Sequence, residues 1–286
     1  MTMDEKVVGY LNYLVRTYDG ITQLIVSTKQ RLGSLPGEEI EQDFDSLLKG
    51  EGRIEGLETV KGRINRALGK EIRQWDIWEN WLKKVPGVGP VLAAKLIILF
   101  FYRFIPICKD CGGDLEKREK GNNGNGEGGK MMVCKSCGKI AKDGVLKHRM
   151  DYKDFQTISK WWAYMGRHTV DGIFPKRKKG VLSNWSTVGR TMGFHIGEEF
   201  NRQKEDNFYK AFLLDRKRKH EKNHPEWTKG HRHNAAKNEA VKLFLAHFWY
   251  VARTLDGKPV SEPYAGAIMG HTNIVKPFYF EEPETV

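Results

Sequence analysis

Apolar residues recur at steps of three and four from Val7 to Leu32, at Val7, Leu11, Leu14, Val15, Ile21, Leu24, Ile25 and Leu32, which predicts one amphipathic helix. Ser34, Leu35, Pro36 and Gly37 break that pattern, and a second helical spacing starts at about Glu38. After Gly52 a longer series runs through Ile54, Leu57, Val60, Ile64, Leu68, Ile72, Trp75, Trp78 and Leu82. It predicts a helix of up to about eight turns. The heptads are not strict, so residues 1–84 read either as a bundle packed on the rest of the chain or as an antiparallel coiled-coil arm that forms a homodimer. Helical spacing returns after residue 148, with aromatic-rich stretches at Trp161-Trp162 and from Phe244 to Trp249. The acidic end, from Glu281 to Glu284, is expected to fray.

The longest apolar run, from Val91 to Tyr102, is interrupted by Lys95 and followed by Arg103. It falls short of the ~20 residues that a bilayer requires. The first residues, Met-Thr-Met-Asp-Glu-Lys, lack the apolar core of a signal peptide. The expected location is therefore cytoplasmic, with nucleoid association if the source is prokaryotic. The 286 residues carry a formal charge of +12, and the pI is about 9.4. An anionic partner follows, with nucleic acid leading and an anionic membrane surface or simple solubility as alternatives.

Four cysteines form two copies of one device, Cys108-Lys-Asp-Cys111-Gly and Cys134-Lys-Ser-Cys137-Gly. Two such knuckles facing each other supply four thiolates for one structural zinc, and they leave no open position for catalytic water. A glycine after each second cysteine permits positive φ, and amides in the turn can donate to sulfur. Two disulfides, an iron–sulfur cluster and free thiols are the competing readings. Residues 121–129, rich in Gly and Asn, read as a hairpin tip.

From Leu82 to Leu96 the chain reads LKKVPGVGPVLAAKL. This resembles the helix-hairpin-helix element of DNA-repair and recombination proteins: an apolar residue, a Pro-Gly-x-Gly turn, and the small pair Ala93-Ala94. Gly87, Val88 and Gly89 form the turn, and the first amides of the next helix offer a phosphate site, with Lys83, Lys84 and Lys95 as nearby cations. Such an element grips sugar-phosphate and carries no base code. A plain Gly-Pro turn between packed helices is the alternative.

Two basic runs add candidate phosphate contacts, Lys176, Arg177, Lys178 and Lys179 first, then Arg216, Lys217, Arg218 and Lys219. Trp161, Trp162 and Trp185 could stack on bases but suit a core better. His220, His224, His231 and His233 have metal-like spacing, yet the surrounding cations favour a structural or phosphate-contacting role. Glu198, Glu199, Glu205 and Asp206 are a weaker option for Mg²⁺.

In order, these landmarks resemble the C-terminal half of the insertion-sequence one-hundred-and-ten (DEDD or Piv-type) transposases. The Pro-Gly-x-Gly hairpin is followed by Ala163-Tyr164-Met165-Gly166 and then by a helical segment from Ala235 to Leu255-Asp256-Gly257. The resemblance spans about residues 50–257 and implies a coiled-coil arm before the hairpin. Two departures stand out. Nothing in the chain corresponds to the family's nuclease-like N-terminal domain. Where the family places a serine nucleophile, this chain has Asp171, with Ser183 and Ser186 further on.

The expected fold is mainly α: a helical arm (1–84), a helix-hairpin-helix (85–104), an inserted small β zinc ribbon (105–147), a helical transposase-like domain (148–260) and a C-terminal tail (261–286). The expected function is DNA binding through the backbone, with selectivity for DNA structure. An active recombinase using Ser183, Ser186 or Asp171, or a nuclease partner in trans, is one alternative. An RNA-binding component of a ribonucleoprotein is another.

Overall fold

A computed structural model describes residues 4–34, 45–119, 130–141, 147–169, 174–177, 183–260 and 275–281. The fold is mainly helical with small antiparallel strand pairs. The chain divides into two compact units: residues 98–154, and everything before and after them. The boundary falls inside a helix, and the cysteine-bearing unit is wider at both ends than 105–147.

In the helical unit, α1 (Glu5–Leu32) starts at Asp4, whose side chain accepts from the Lys6 amide, and buries Val8, Leu11, Leu14, Val15 and Ile25. Residues 45–49 are helical, and the start expected at Glu38 lies outside the described residues. A two-strand hairpin, β1 (Gly50–Glu51) with β2 (Ile54–Glu55), precedes α2 (Leu57–Glu71), which packs on α1.

The single long helix expected from Ile54 to Leu82 is a correction. Ile54 sits in a strand and is 77% exposed. The helix stops at Glu71, passes through a 3₁₀ turn to Trp75 in extended conformation (φ −102, ψ 119), restarts as α3 (Asp76–Asn80), and breaks again at Trp81 (φ −142, ψ −62). The apolar period survives because each short piece still turns a large side chain inward: Ile72, Trp75, Ile77, Trp81 and Leu82 are all at or below 1% exposure. The same period fits a broken rod as well as a straight one.

Next comes α4 (Pro90–Phe101), which crosses the unit boundary. After the cysteine-bearing unit, α5 (Ile158–Tyr164), α6 (Thr187–Arg202), α7 (Phe208–Asn223) and α8 (Lys229–Leu255) complete the bundle. Helix α8 is its centre, in contact with α3, α5, α6 and α7. Phe244 stacks on Trp81 with centroids 5.5 Å apart and meets Phe200 and Tyr209 edge-on, while Phe248 lies against Trp161. Two of the buried indoles donate to backbone carbonyls: Trp249 to Phe155 O (2.6 Å) and Trp81 to Phe278 O (2.7 Å).

The acceptor of that last bond lies in the segment expected as a C-terminal tail (261–286). Residues 275–281 dock on the core, with Phe278 against Phe208, Tyr209 and His247. Residues 261–274 and 282–286 lie outside the described residues.

In the smaller unit, β3 (Tyr102–Ile107) pairs antiparallel with β7 (Lys147–Tyr152), in a register from Tyr102 opposite Tyr152 to Ile107 opposite Lys147. A second sheet has the order β4 (Leu115–Glu119), β5 (Lys130–Cys134), β6 (Ile140–Ala141). Among the described residues no helix is long and apolar enough to cross a membrane.

Candidate metal centre and candidate nucleic-acid interface

The two knuckles fold alike because their sequences repeat. Gly112 N–H donates to Cys108 O (2.9 Å) and Gly138 N–H to Cys134 O (3.0 Å). Both glycines have left-handed backbone, φ +73 and +72, as the sequence requires. Gly113 is tight for a different reason: a Cβ there would fall 2.4 Å from Ser136 Oγ of the opposite knuckle. The Lys139 ammonium lies 2.9 Å from the Asp110 carboxylate, linking the two turns at their exposed rim.

All four sulfurs lie within 4.8 Å of one another. Cys108 and Cys137 Sγ are 3.7 Å apart, and Cys111 and Cys134 Sγ are 3.4 Å apart. A disulfide would place them at about 2.05 Å, and the four cysteines are free. A tetrahedron with metal–sulfur bonds of about 2.3 Å has sulfur edges of about 3.8 Å. The four cysteines could therefore hold a metal ion.

Their acid–base chemistry points the same way. Amide hydrogen bonds, first from Cys137, pull the Cys134 thiol down to about 6. At Cys111 the Gly113 amide also pulls down, but the crowded Cys134 and Cys137 sulfurs outweigh it and push the thiol up to about 12. Four thiols this close cannot all ionise alone, and a dication removes that conflict.

The hairpin has one covered and one open side. Gly87 has φ +91, and a Cβ on it would meet Gln203 Nε2 at 3.1 Å. Pro86 O accepts from Asn207 Nδ2 (3.3 Å), and Val88 is buried with its N–H on Val85 O. Gly89 is exposed with open space around it. The first intrahelical bond of α4 is made by Ala93 N–H to Gly89 O, so the Val91 and Leu92 amides precede it.

On this open side a cleft of about 720 Å³ runs between α2 and the start of α4, lined by Arg66, Lys70, Arg73, Trp78, Lys83 and Pro90. Gly69 brings the two helices together, since a Cβ there would lie 3.7 Å from Pro90 Cγ. Arg66, Lys70 and Arg73 are exposed, and among the described residues none has an ion pair. Glu79 is the one acidic residue on the cleft wall, and it is engaged by Lys83. Sequence reading missed Arg66 and Lys70 on α2 and Arg73 in the 3₁₀ turn that follows it, although their spacing of four and three was a usable sign of a shared face.

The other candidates are distributed differently. Lys84 is exposed near the turn, whereas Lys95 is paired with Asp19 on α1. In the run on α7, Glu239 accepts from both Arg216 and His220, and Lys219 pairs with Asp215 (2.8 Å), leaving Lys217 and Arg218 on the exposed face. Lys176 and Arg177 are described, whereas Lys178, Lys179 and Asp171 lie outside the described residues.

Ser186 is the N-cap of α6, its Oγ accepting from Gly189 N–H (3.0 Å), and Ser183 Oγ donates to Trp185 O (3.4 Å). Among the described residues neither hydroxyl is hydrogen-bonded to a base. His224 and His231 sandwich Trp227, with centroids 4.0 and 4.1 Å away. The cysteine cluster is the one metal-like group among the described residues. Trp161 is fully buried in the core.

No family model, no curated protein and no solved structure matches the chain.

Proposed function

We propose that the protein binds nucleic acid, DNA foremost, through its phosphate backbone, and that its four cysteines hold one structural zinc. The observation that carries this reading is the cleft beside the hairpin, where Arg66, Lys70 and Arg73, without ion pairs among the described residues, line the same cleft as Pro90 at the start of α4. Unpaired cations beside free helix amides suit a polyanion that runs across both. The order of landmarks from the hairpin to Asp256-Gly257 supports descent from a transposase-like scaffold. Cys₄ coordination favours zinc over harder ions.

The test is a gel-shift and salt-titration series on duplex, four-way junction, single strand and structured RNA, with the wild type and an Arg66→Ala/Lys70→Ala/Arg73→Ala variant. The variant is expected to bind at least tenfold more weakly, with the slope of log K against log salt shallower by about 2 to 3. No binding to any probe at low salt would end this reading. An unchanged slope would move the interface elsewhere, and preference for RNA would replace DNA as the partner. Metal content is read by native mass spectrometry, with one zinc per chain expected.

A further inference from the structure

A second cationic site lies between α5, α6 and α8. Gly166, in left-handed conformation (φ +64), ends α5 and turns the chain so that Arg167 lies along α6. The Arg167 guanidinium donates from Nη1 to Asn238 Oδ1 (2.7 Å) and from Nη2 to Arg190 O (3.1 Å). It rests on bare backbone: a Cβ at Gly193 would sit 2.5 Å from Nη2 and 2.6 Å from Nε. Arg167 Nε is buried, and among the described residues it has no hydrogen-bond partner.

The neighbouring charge has the wrong sign to compensate. Arg190 packs on the Trp185 ring, 5.3 Å from its centroid, and donates to Pro175 O. Among the described residues neither arginine has an ion pair. Burial, and then the charge of Arg190, lowers Arg167 to about 10.

Both arginines line a cavity of about 600 Å³ together with Lys176, Phe194, Asn234 and Asn238, and among the described residues no carboxylate lines it. Lys237, at its edge, is already neutralised by Glu198. Two close guanidiniums, one of them largely desolvated, are costly without a counter-ion. Two arginines and a lysine bring three positive charges. A carboxylate would neutralise one of them, whereas a phosphate monoester carries about −1.5 to −2 and can neutralise two. The volume falls within the ~300–1,000 Å³ of small-molecule sites and exceeds what a bare ion needs.

We propose that this cavity binds the phosphate monoester of a nucleotide, with Arg167 and Arg190 holding the phosphate and Lys176, Asn234 and Phe194 facing the remainder. The ligand is either a free nucleotide or the phosphorylated end of a strand. The site adds to the backbone reading but does not depend on the cleft at Gly89.

Calorimetry on the full chain with deoxyadenosine 5′-monophosphate, and with a short single strand carrying either a 5′-phosphate or a 5′-hydroxyl, tests the assignment. The wild type should bind the mononucleotide, and Arg190→Gln should weaken that binding by about tenfold or more. Arg190→Lys, which keeps the charge, should retain part of it, and thermal melting of both variants checks that they fold. A tenfold preference for the phosphorylated strand identifies a strand end; mononucleotide binding without that preference identifies a free nucleotide. The cleft triple variant should keep mononucleotide binding, so failure of the backbone reading leaves this result standing. Absence of mononucleotide binding together with equal affinity for the two strands, or an affinity unchanged in folded Arg190→Gln, overturns the proposal.

Discussion

The two units hold their shape by opposite means. The helical unit closes around α8, where Trp81, Phe200, Tyr209, Phe244, Phe248 and Trp249 are all fully buried. In the cysteine-bearing unit the buried side chains among the described residues are few: Phe100, Phe101, Tyr102 and Val133, with Cys108 and Cys134 themselves. Its strands are otherwise held by ladders and by exposed pairs such as Arg149 with Asp114 and Asp151. With so few buried apolar side chains among its described residues, the unit gains from a staple that supplements a small core. Four thiols gathered within 4.8 Å are in the place where such a staple acts.

The sharpest way to break this contrast is to strip the cysteine site of the metal proposed for it. Chelation, or Cys134→Ser, is expected to abolish protection of the β4–β5 and β3–β7 amides in hydrogen exchange while the helices of the other unit keep theirs. Persistence of the strand protection without metal would show that the ladders suffice. Truncating the other unit's core should reverse the pattern. Phe244→Ala removes the ring that meets Trp81, Phe200 and Tyr209 and is expected to cost about 3–5 kcal/mol in the helical unit's unfolding, with metal stoichiometry unchanged. Loss of metal in a folded Phe244→Ala protein would mean that the two units are not independently held.

What could be read from sequence divides along a related line. The cysteine knuckles were legible because everything that specifies them is local: a four-residue spacing and a glycine with φ near +70. Helix α1 was legible from its period alone. The breaks at Trp75 and Trp81 were not, because neither position carries Gly or Pro and the inward-facing period continues across them. The docking of 275–281 was also missed, although Phe278, Tyr279 and Phe280 form an aromatic cluster just before the acidic end. Charge was the least legible. Arg216 to Lys219 read as phosphate contacts, but Glu239 and Asp215 engage two of the four cations. Arg66, Lys70 and Arg73 drew no notice in sequence and stand without ion pairs among the described residues. Pairing is a long-range property, and a run of like charge does not reveal it.

Acid should separate the two units by a smaller margin and through a single buried imidazole. His247 lies in the helical core, its Nδ1 accepting from Tyr209 OH (2.8 Å) and its Nε2–H donating to Val275 O (3.0 Å), which fixes the neutral tautomer. Burial lowers it to about 4, against the partial opposition of the Val275 carbonyl. The unfolded chain therefore takes up this proton at about 6.5 and the folded one only near 4. Stability is complete above about pH 6.5, falls as pH drops toward 4, and levels off below, for a total of about 3 kcal/mol. His233, lowered by burial and by neighbouring lysines, adds in the same direction. His247→Gln can keep both hydrogen bonds and has no proton to gain, so its urea-unfolding free energy, followed by tryptophan fluorescence, should be flatter between pH 6.5 and 4 than that of the wild type. Equal slopes would show that the acid sensitivity of the helical unit arises elsewhere. In the same pH range thiolate protonation should release the metal from the other unit, and this step should be identical in wild type and His247→Gln, because the imidazole belongs to the unit whose core needs no metal.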